Sequence, residues 1–365
     1  MNLQLNDVQQ QLQDSLGRLL AREYDFGRRQ QYAASDAGHS PEAWVQLASL
    51  GVTAAAIGEA HDGFGGDAVD HMMISEALGK CLSLEPYHGT VVMAATAIEQ
   101  LGSPTQQSSL LPRIARGELQ VAWAHGESVP GRVATRAAHG VDGWRLYGTK
   151  RCVLHGTGAD DFLVSAQAPN EGVQLFLVNA RTTGVGIAGG RLIDGTPAAD
   201  LTLDDAEGER LGTLTPALLT RLLETGISAA CAEMVGAMDG ACALTAAYLK
   251  TRTQFGRVIG ANQALQHRIV DMLAALEQSR SMSVSLALAL AGRNDLTGAA
   301  VPAHAAKVLV TQNARHVAQE AIQLHGGIGM TEEYAVGHYL RRILVLDQLH
   351  GDMQYHLGYL ERRAA

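Results

Sequence analysis

The period of the hydrophobic pattern changes twice along this chain, and that double change restricts the fold more than any single motif does. Up to about residue 118 apolar residues recur at helical spacing, with Val8, Leu12, Leu16, Leu19 and Leu20 falling on one face. Ser40-Pro41-Glu42 opens a further helix with a capping hydroxyl and a first-turn proline, and that helix carries Trp44, Leu47, Ala48 and Leu50. Asp62 to Gly66 reads as a turn-rich loop. From about 119 to 212 the pattern shortens to β-type runs at Leu119–Ala124, Trp144–Gly148, Phe162–Ala166 and Leu175–Val178, with Asp142-Gly143 as a hairpin turn. After Thr215-Pro216, again a cap and a first-turn proline, Ala-rich runs at 226–251, 262–292 and 303–324 are long enough to form a bundle. Helices, then an antiparallel sheet, then helices is an unusual order. The expected divisions are 1–118, 119–212 and 213–365.

A length of 365 residues asks for two or three packed regions rather than one core. The net charge of −9 argues against a nucleic-acid partner, which would want a basic face. Cys81, Cys152, Cys231 and Cys242 are scattered without a C-x-x-C; Cys231 and Cys242 sit in an Ala-rich helical pattern and read as small core residues. A reducing cytoplasm is the compartment this usage suggests. The first residues lack the basic, then apolar, then small-residue order of a signal peptide. No uninterrupted apolar run nears the roughly 20 residues of a membrane span.

Two segments carry the chemistry. Arg252-Thr-Gln-Phe-Gly256 and Gln323-Leu-His-Gly-Gly-Ile-Gly329 each place polar groups and bare backbone at the end of a helix-patterned run, which suits the pyrophosphate of a cofactor. Gly326-Gly-Ile-Gly329 is not a dinucleotide fingerprint, because a long helical pattern rather than a strand precedes it. The plainer reading of 252–256 is a surface arginine, a buried Phe255 and a glycine helix stop. His267 and Asp271 stand one helical turn apart and suggest a side-chain contact rather than a metal site. No G-x-S-x-G, H-E-x-x-H or P-loop occurs, and the histidines do not cluster at metal-ligand spacing.

With these motifs in hand the chain resembles an acyl-CoA dehydrogenase over nearly its whole length. Ser40 to Gly51 and Asp62 to Gly66 resemble the family's N-terminal helical domain, and Trp144-Arg-Leu-Tyr-Gly-Thr-Lys150 its middle domain. Arg252 to Gly256 with Gln263, and Gln323 to Gly329, resemble its C-terminal bundle. Cys231 to Asp239, Tyr248 to Arg252, Leu276 to Met282 and Gly337 to Arg341 look most like the small subunit of pimeloyl-CoA dehydrogenase and related two-subunit enzymes. The resemblance implies an α+β multidomain fold of a helical domain, an antiparallel β-barrel-like domain and a four-helix bundle. It implies α,β-desaturation of an acyl-CoA thioester, FAD at a subunit interface, and an electron-transfer flavoprotein as acceptor. It further implies that Arg252 meets the pyrophosphate of a flavin held mainly by a neighbour, that Phe255 and Gln263 line that pocket, and that Gln323, Gly326, Gly327 and Gln354 face it.

The departures matter as much. The family's usual base position, just before Gly351, holds His350, and the alternative position, 26 residues before Arg252, holds Gly226. Glu224 lies about 200° round the helix from Gly226. Glu233 and His350 remain as candidate bases, the other reading of His350 being a space-filler in a site without its carboxylate. The family's Trp-Ile-Thr beside the flavin ring is here Cys152-Val153-Leu154, and its acidic Gly-Ser-rich loop is shortened to His125–Gly131. The half of the site that reaches a neighbour is thus intact and the chain's own half degraded. The expectation is a partner subunit that lacks the glutamate; the alternatives are a self-sufficient homo-oligomer with an unusual base, or a structural subunit without flavin.

Overall fold

A computed structural model describes residues 5–140, 143–291 and 300–364. The N-terminal part comprises α1 (Asp7–Glu23), α2 (Phe26–Ala34), α3 (Pro41–Ser49), α4 (Ala68–Lys80), a π-helical run His88–Ala95, α5 (Thr96–Leu101) and α6 (Pro104–Ala115). Ser40 caps α3 through its hydroxyl, which accepts from Ala43 N–H at 3.1 Å, and Trp44 and Leu47 are buried as their spacing requires. Leu16, Leu19 and Leu20 are buried as well, but Val8 is 70% exposed: it lies in the first turn of α1, ahead of the stretch that meets the core.

The middle part is one sheet of β1 (Val121–Ala124), β2 (Arg136–Gly140), β3 (Gly143–Leu154), β4 (Asp161–Ala168), β5 (Gly172–Asn179), β6 (Val185–Arg191) and β7 (Pro197–Thr213). Strands β4, β2, β3, β7 and β5 form a ring that closes through the β4–β5 pairing, with β1 on β4 and β6 on β7. Closure leaves only β1 and β6 as edge strands of this sheet among the described residues. The sheet is antiparallel except where β1 and β2 run parallel to β4. Strand β7 escapes a periodicity reading because Asp204, Asp205, Glu207 and Glu209 break its apolar run, while Leu201, Leu203 and Ala206 point into the barrel. Asp142 lies outside the described residues, and Gly143 pairs with Gly140 at φ 121°.

The C-terminal part consists of α7 (Pro216–Thr251), a two-residue hairpin of β8 (Thr253–Gln254) and β9 (Arg257–Val258), α8 (Gln263–Leu290), α9 (Ala300–His325), α10 (Val336–Gln348) and α11 (Met353–Ala364). Helices α7 to α10 surround a core that includes Cys231, Met234, Met238, Val310, Val317 and Ile343. Among the described residues α7 alone is long and apolar enough to cross a membrane, yet 83% of its most apolar window is buried inside the protein. Helix α4 crosses α7 with the backbones in contact: a side chain at Gly79 would strike Glu233 O, and one at Gly236 would strike Glu76 O.

One buried charge network ties the three parts together. The Arg342 guanidinium on α10 donates to Glu233 Oε1 on α7 (2.7 Å) and to Asp194 Oδ2 (2.8 Å) and Thr196 Oγ1 (2.9 Å) in the β6–β7 turn. Arg29 on α2 donates to Leu82 O at 2.9 Å and to the backbone oxygen of Asp194. All four charged groups are nearly sealed from solvent, so each depends on the others.

Two expectations follow from this packing. Arg342→Met leaves Asp194 and Glu233 unpaired in the interior and lowers the unfolding free energy by about 3–5 kcal/mol in urea titration. Glu85 accepts from the Tyr24 hydroxyl and from Ser40 N–H through Oε1, while its buried Oε2 has no partner. Burial raises its pKa from 4.5 to about 8. With the folded-state value raised, ionising Glu85 costs the folded state increasingly as pH climbs through that window. Relative to wild type, Glu85→Gln gains stability from pH 5 to pH 8 at up to about 1.4 kcal/mol per pH unit; a pH-independent difference between the two proteins contradicts this.

Candidate active site

Helix α7 stops at Arg252, and the chain reverses through β8 and β9 with Phe255 and Gly256 at the tip, at φ 52° and 79°. Phe255 is fully exposed at 102%, which overturns the reading of a buried aromatic: a two-residue hairpin offers its tip nothing to pack against. Arg252 and Gln263, at the two ends of this connection, are exposed. Helix α9 ends at His325, and a tight turn Gly326–Met330 follows. Gly326 adopts φ 66°, and added side chains at Gly326 or Gly327 would meet only open space, so the backbone there is accessible. The Tyr248 ring stacks on His325 with centroids 4.4 Å apart, and Tyr334 packs against both. These rings bring together two motifs about 70 residues apart. His325 Nδ1 lies 2.7 Å from Ala321 O, leaving its buried Nε2 without a partner. Exposed Arg252, Phe255, Gln263 and Gln323, bare backbone at Gly326–Gly327 and one orphaned ring nitrogen suit a polar, phosphate-bearing cofactor. Gln354 sits instead in the first turn of α11, exposed beside the loop that carries His350.

That loop is braced from beneath. Lys307, fully buried on α9, donates to Leu346 O (2.6 Å) and Leu349 O (2.9 Å) and so satisfies the end of α10. Burial pulls its pKa down to about 8. His356 Nε2 approaches Gly351 O at 3.2 Å, and Met353 N–H donates to Asp347 Oδ1 at 3.0 Å. His350 itself sits at φ 60°, and its Nε2 lies 2.8 Å from Nε2 of His88, the first residue of the π-helical run. The two rings meet edge to edge, with centroids 5.1 Å apart and planes 28° from parallel. A Cβ at Gly226 would collide with His350 Nε2 and Met93 Sδ, so positions 226 and 350, the two that the resemblance implies as places for a base, converge on one spot. Burial, then the neighbouring His88 and Lys307, hold His350 well below the ordinary histidine range; burial, with Arg342 and Lys307, brings His88 to about 3. Both imidazoles are therefore neutral at physiological pH, and each is a weak proton acceptor. Glu233 is no longer a candidate base: its carboxylate belongs to Arg342, 109 residues away.

In the barrel, Cys152 adopts φ 52° and its N–H donates to Asp200 Oδ1 at 2.9 Å. The loop from His125 is pinned by fully buried Lys150, whose Nζ donates to Glu127 Oε1 (2.7 Å) and Ser165 Oγ (3.0 Å). Against burial, bonds from Lys150, Thr135 and Ala134 N–H hold Glu127 down to about 2. His125 stacks on Trp123 and meets Ser165 Oγ at 2.9 Å. No group of three histidine, cysteine, aspartate or glutamate side chains able to hold a metal occurs among the described residues. A cavity of about 390 Å³ between α1, α4 and α10, walled by Tyr24, Phe26 and Tyr339, contains none of the site residues.

Sequence reasoning missed His88, Lys150 and Lys307. A lysine on the apolar face of a helical run, as at 307, was the one available signal. His88 had none, because its partner lies 262 residues further on.

Residues 6–118 match the acyl-CoA dehydrogenase N-terminal domain and residues 218–365 the acyl-CoA dehydrogenase C-terminal domain. The probable acyl-CoA dehydrogenase FadE25 of Mycobacterium tuberculosis is 30% identical over 82% of this chain and 81% of its own length. The steroid ACAD Tcur3481–Tcur3483 superposes with a TM-score of 0.88 at 30% identity, covering 97% of this chain and 96% of that one. The ChsE4–ChsE5 complex from Mycobacterium tuberculosis gives 0.91 at 25% identity, over 100% and 99%. By its motifs, its three-part architecture and these relatives, the chain belongs to the acyl-CoA dehydrogenase family.

Proposed function

We propose that this chain is the carboxylate-lacking subunit of a two-subunit, FAD-dependent acyl-CoA dehydrogenase that desaturates a thioester between Cα and Cβ. The observation that carries the reading is the His350–His88 contact. Where a base must stand, the chain presents a neutral imidazole already bonded to a second one. A carbon acid as weak as a thioester needs a poised carboxylate, and a histidine held far below its ordinary pKa is a poor substitute. Glu233, the other acidic candidate, is spent on Arg342.

The complementary half of the site is intact. Arg252 presents an exposed forked guanidinium suited to a pyrophosphate, while Phe255 offers an aromatic face outside this chain's own core. Gln263, Gln323 and the backbone of Gly326 and Gly327 add polar groups around them, and Gln354 adds one near the His350 loop. FAD supplies the hydride acceptor when bound. This chain's part is to grip a flavin seated mainly in a neighbour, whose glutamate takes the α-proton; an electron-transfer flavoprotein then collects the electrons. Relatives described as two-component assemblies, ChsE4–ChsE5 and Tcur3481–Tcur3483, support pairing with a related but distinct chain.

Co-expression with a candidate partner tests this: the pair reduces dye with acyl-CoA, and the chain alone turns over below about 1% of that rate. Full activity from the isolated chain would refute it. In the active pair, Arg252→Gln weakens FAD retention by about 10- to 100-fold, read as flavin lost on gel filtration, without moving the thermal midpoint of the flavin-free protein.

A further inference from the structure

We propose that His88 is a positioning residue that latches His350 against α7 at Gly226, so that this half of the assembly excludes a thioester. The proposal rests on the two-subunit reading for its purpose, but its geometry is local. The Nε2 atoms of His88 and His350 are 2.8 Å apart, so one ring donates and the other accepts; neither nitrogen is left to meet a ligand. The bonded edge of His350 also abuts α7 at Gly226, where even a methyl group would collide with Nε2. His350 therefore bridges from the π-helical run to α7 at the point where both carboxylate-bearing positions converge. A substrate whose α-carbon approached that point would have to displace a ring and break its hydrogen bond.

The latch is fixed at both ends. His350 sits at φ 60°, in a link held by Lys307 through Leu346 O and Leu349 O. His88 starts a run of π-helical backbone, a rare winding found mostly at functional positions. The groups acting on the pair are Met93 from the same run, Lys307 from α9, Arg342 from α10, and the histidines His71, His125, His155 and His356; none of these is a carboxylate. The class of molecule excluded is an acyl-CoA, whose acyl arm must pass this point to be desaturated. A ligand that opens the latch loses about 10- to 100-fold in affinity.

Equilibrium dialysis with three unreactive mimics, S-butyl-, S-octyl- and S-dodecyl-coenzyme A, tests this on the chain alone and on the chain with its co-purified partner. The wild-type chain alone retains less than about 0.1 equivalent, and the His88→Ala/His350→Ala variant retains about one of at least one mimic. His88→Gln keeps a polar atom at the reach of Nε2 and stays closed, a result that a merely structural role for His88 would not give. Thermal midpoints within about 5 °C of wild type certify the fold. Retention by the wild-type chain alone, or no gain in the double variant, overturns the latch. Should the chain associate only with itself and stay inactive, the two-subunit reading fails while the binding assay still judges the latch.

Discussion

The bond between Arg342 and its two carboxylates is the constraint on which the rest of the molecule hangs. It is the place where α10, α7 and the β6–β7 turn meet, with Arg29 bringing α2 to the same point. Four opposite charges in a dry interior tolerate little displacement, because removing any one strands the others. The network therefore joins barrel and bundle at one buried point. It also locks α7 and α10, the helices that present Gly226 and lead into His350. The site inherits its precision from an interaction that touches no substrate.

Long-range charge of this kind is what a sequence hides. Helical runs, the serine and threonine caps and the first-turn prolines at Pro41 and Pro216 were legible because their physics is local: each is decided within one turn of chain. The helix ends at Arg252 and His325 were legible for the same reason, since a helix end can be read from its own residues. Arg342, Lys307 and His88 were not, because each is explained by a partner more than 35 residues distant. Phe255 shows a subtler gap. An aromatic at the end of a helix is ordinarily core, and only the two-residue hairpin, set by the left-handed Phe255 and Gly256, turns it outward.

The two halves of the site differ in kind. The outward half is built of exposed side chains on short connections, able to meet another surface. The inward half is built of buried groups that satisfy one another: Lys150 with Glu127 and Ser165, His125 with Trp123, and His88 with His350. Buried side chains that already bond one another gain little by admitting a ligand. A surface of unmatched donors gains much.

The π-helical run carries a consequence for how such a chain can vary. Its hydrogen bonds reach one residue further than those of an α-helix, so the segment His88–Ala95 is longer than ordinary winding would need. Deleting a single residue there would return the backbone to regular pitch and rotate everything upstream by about 100°. His88 would then face another direction while α5 kept its place, and the core residues upstream would have to repack. The orientation of His88 toward His350 thus rests on a length difference of one codon, a far smaller step than rebuilding the surrounding helices.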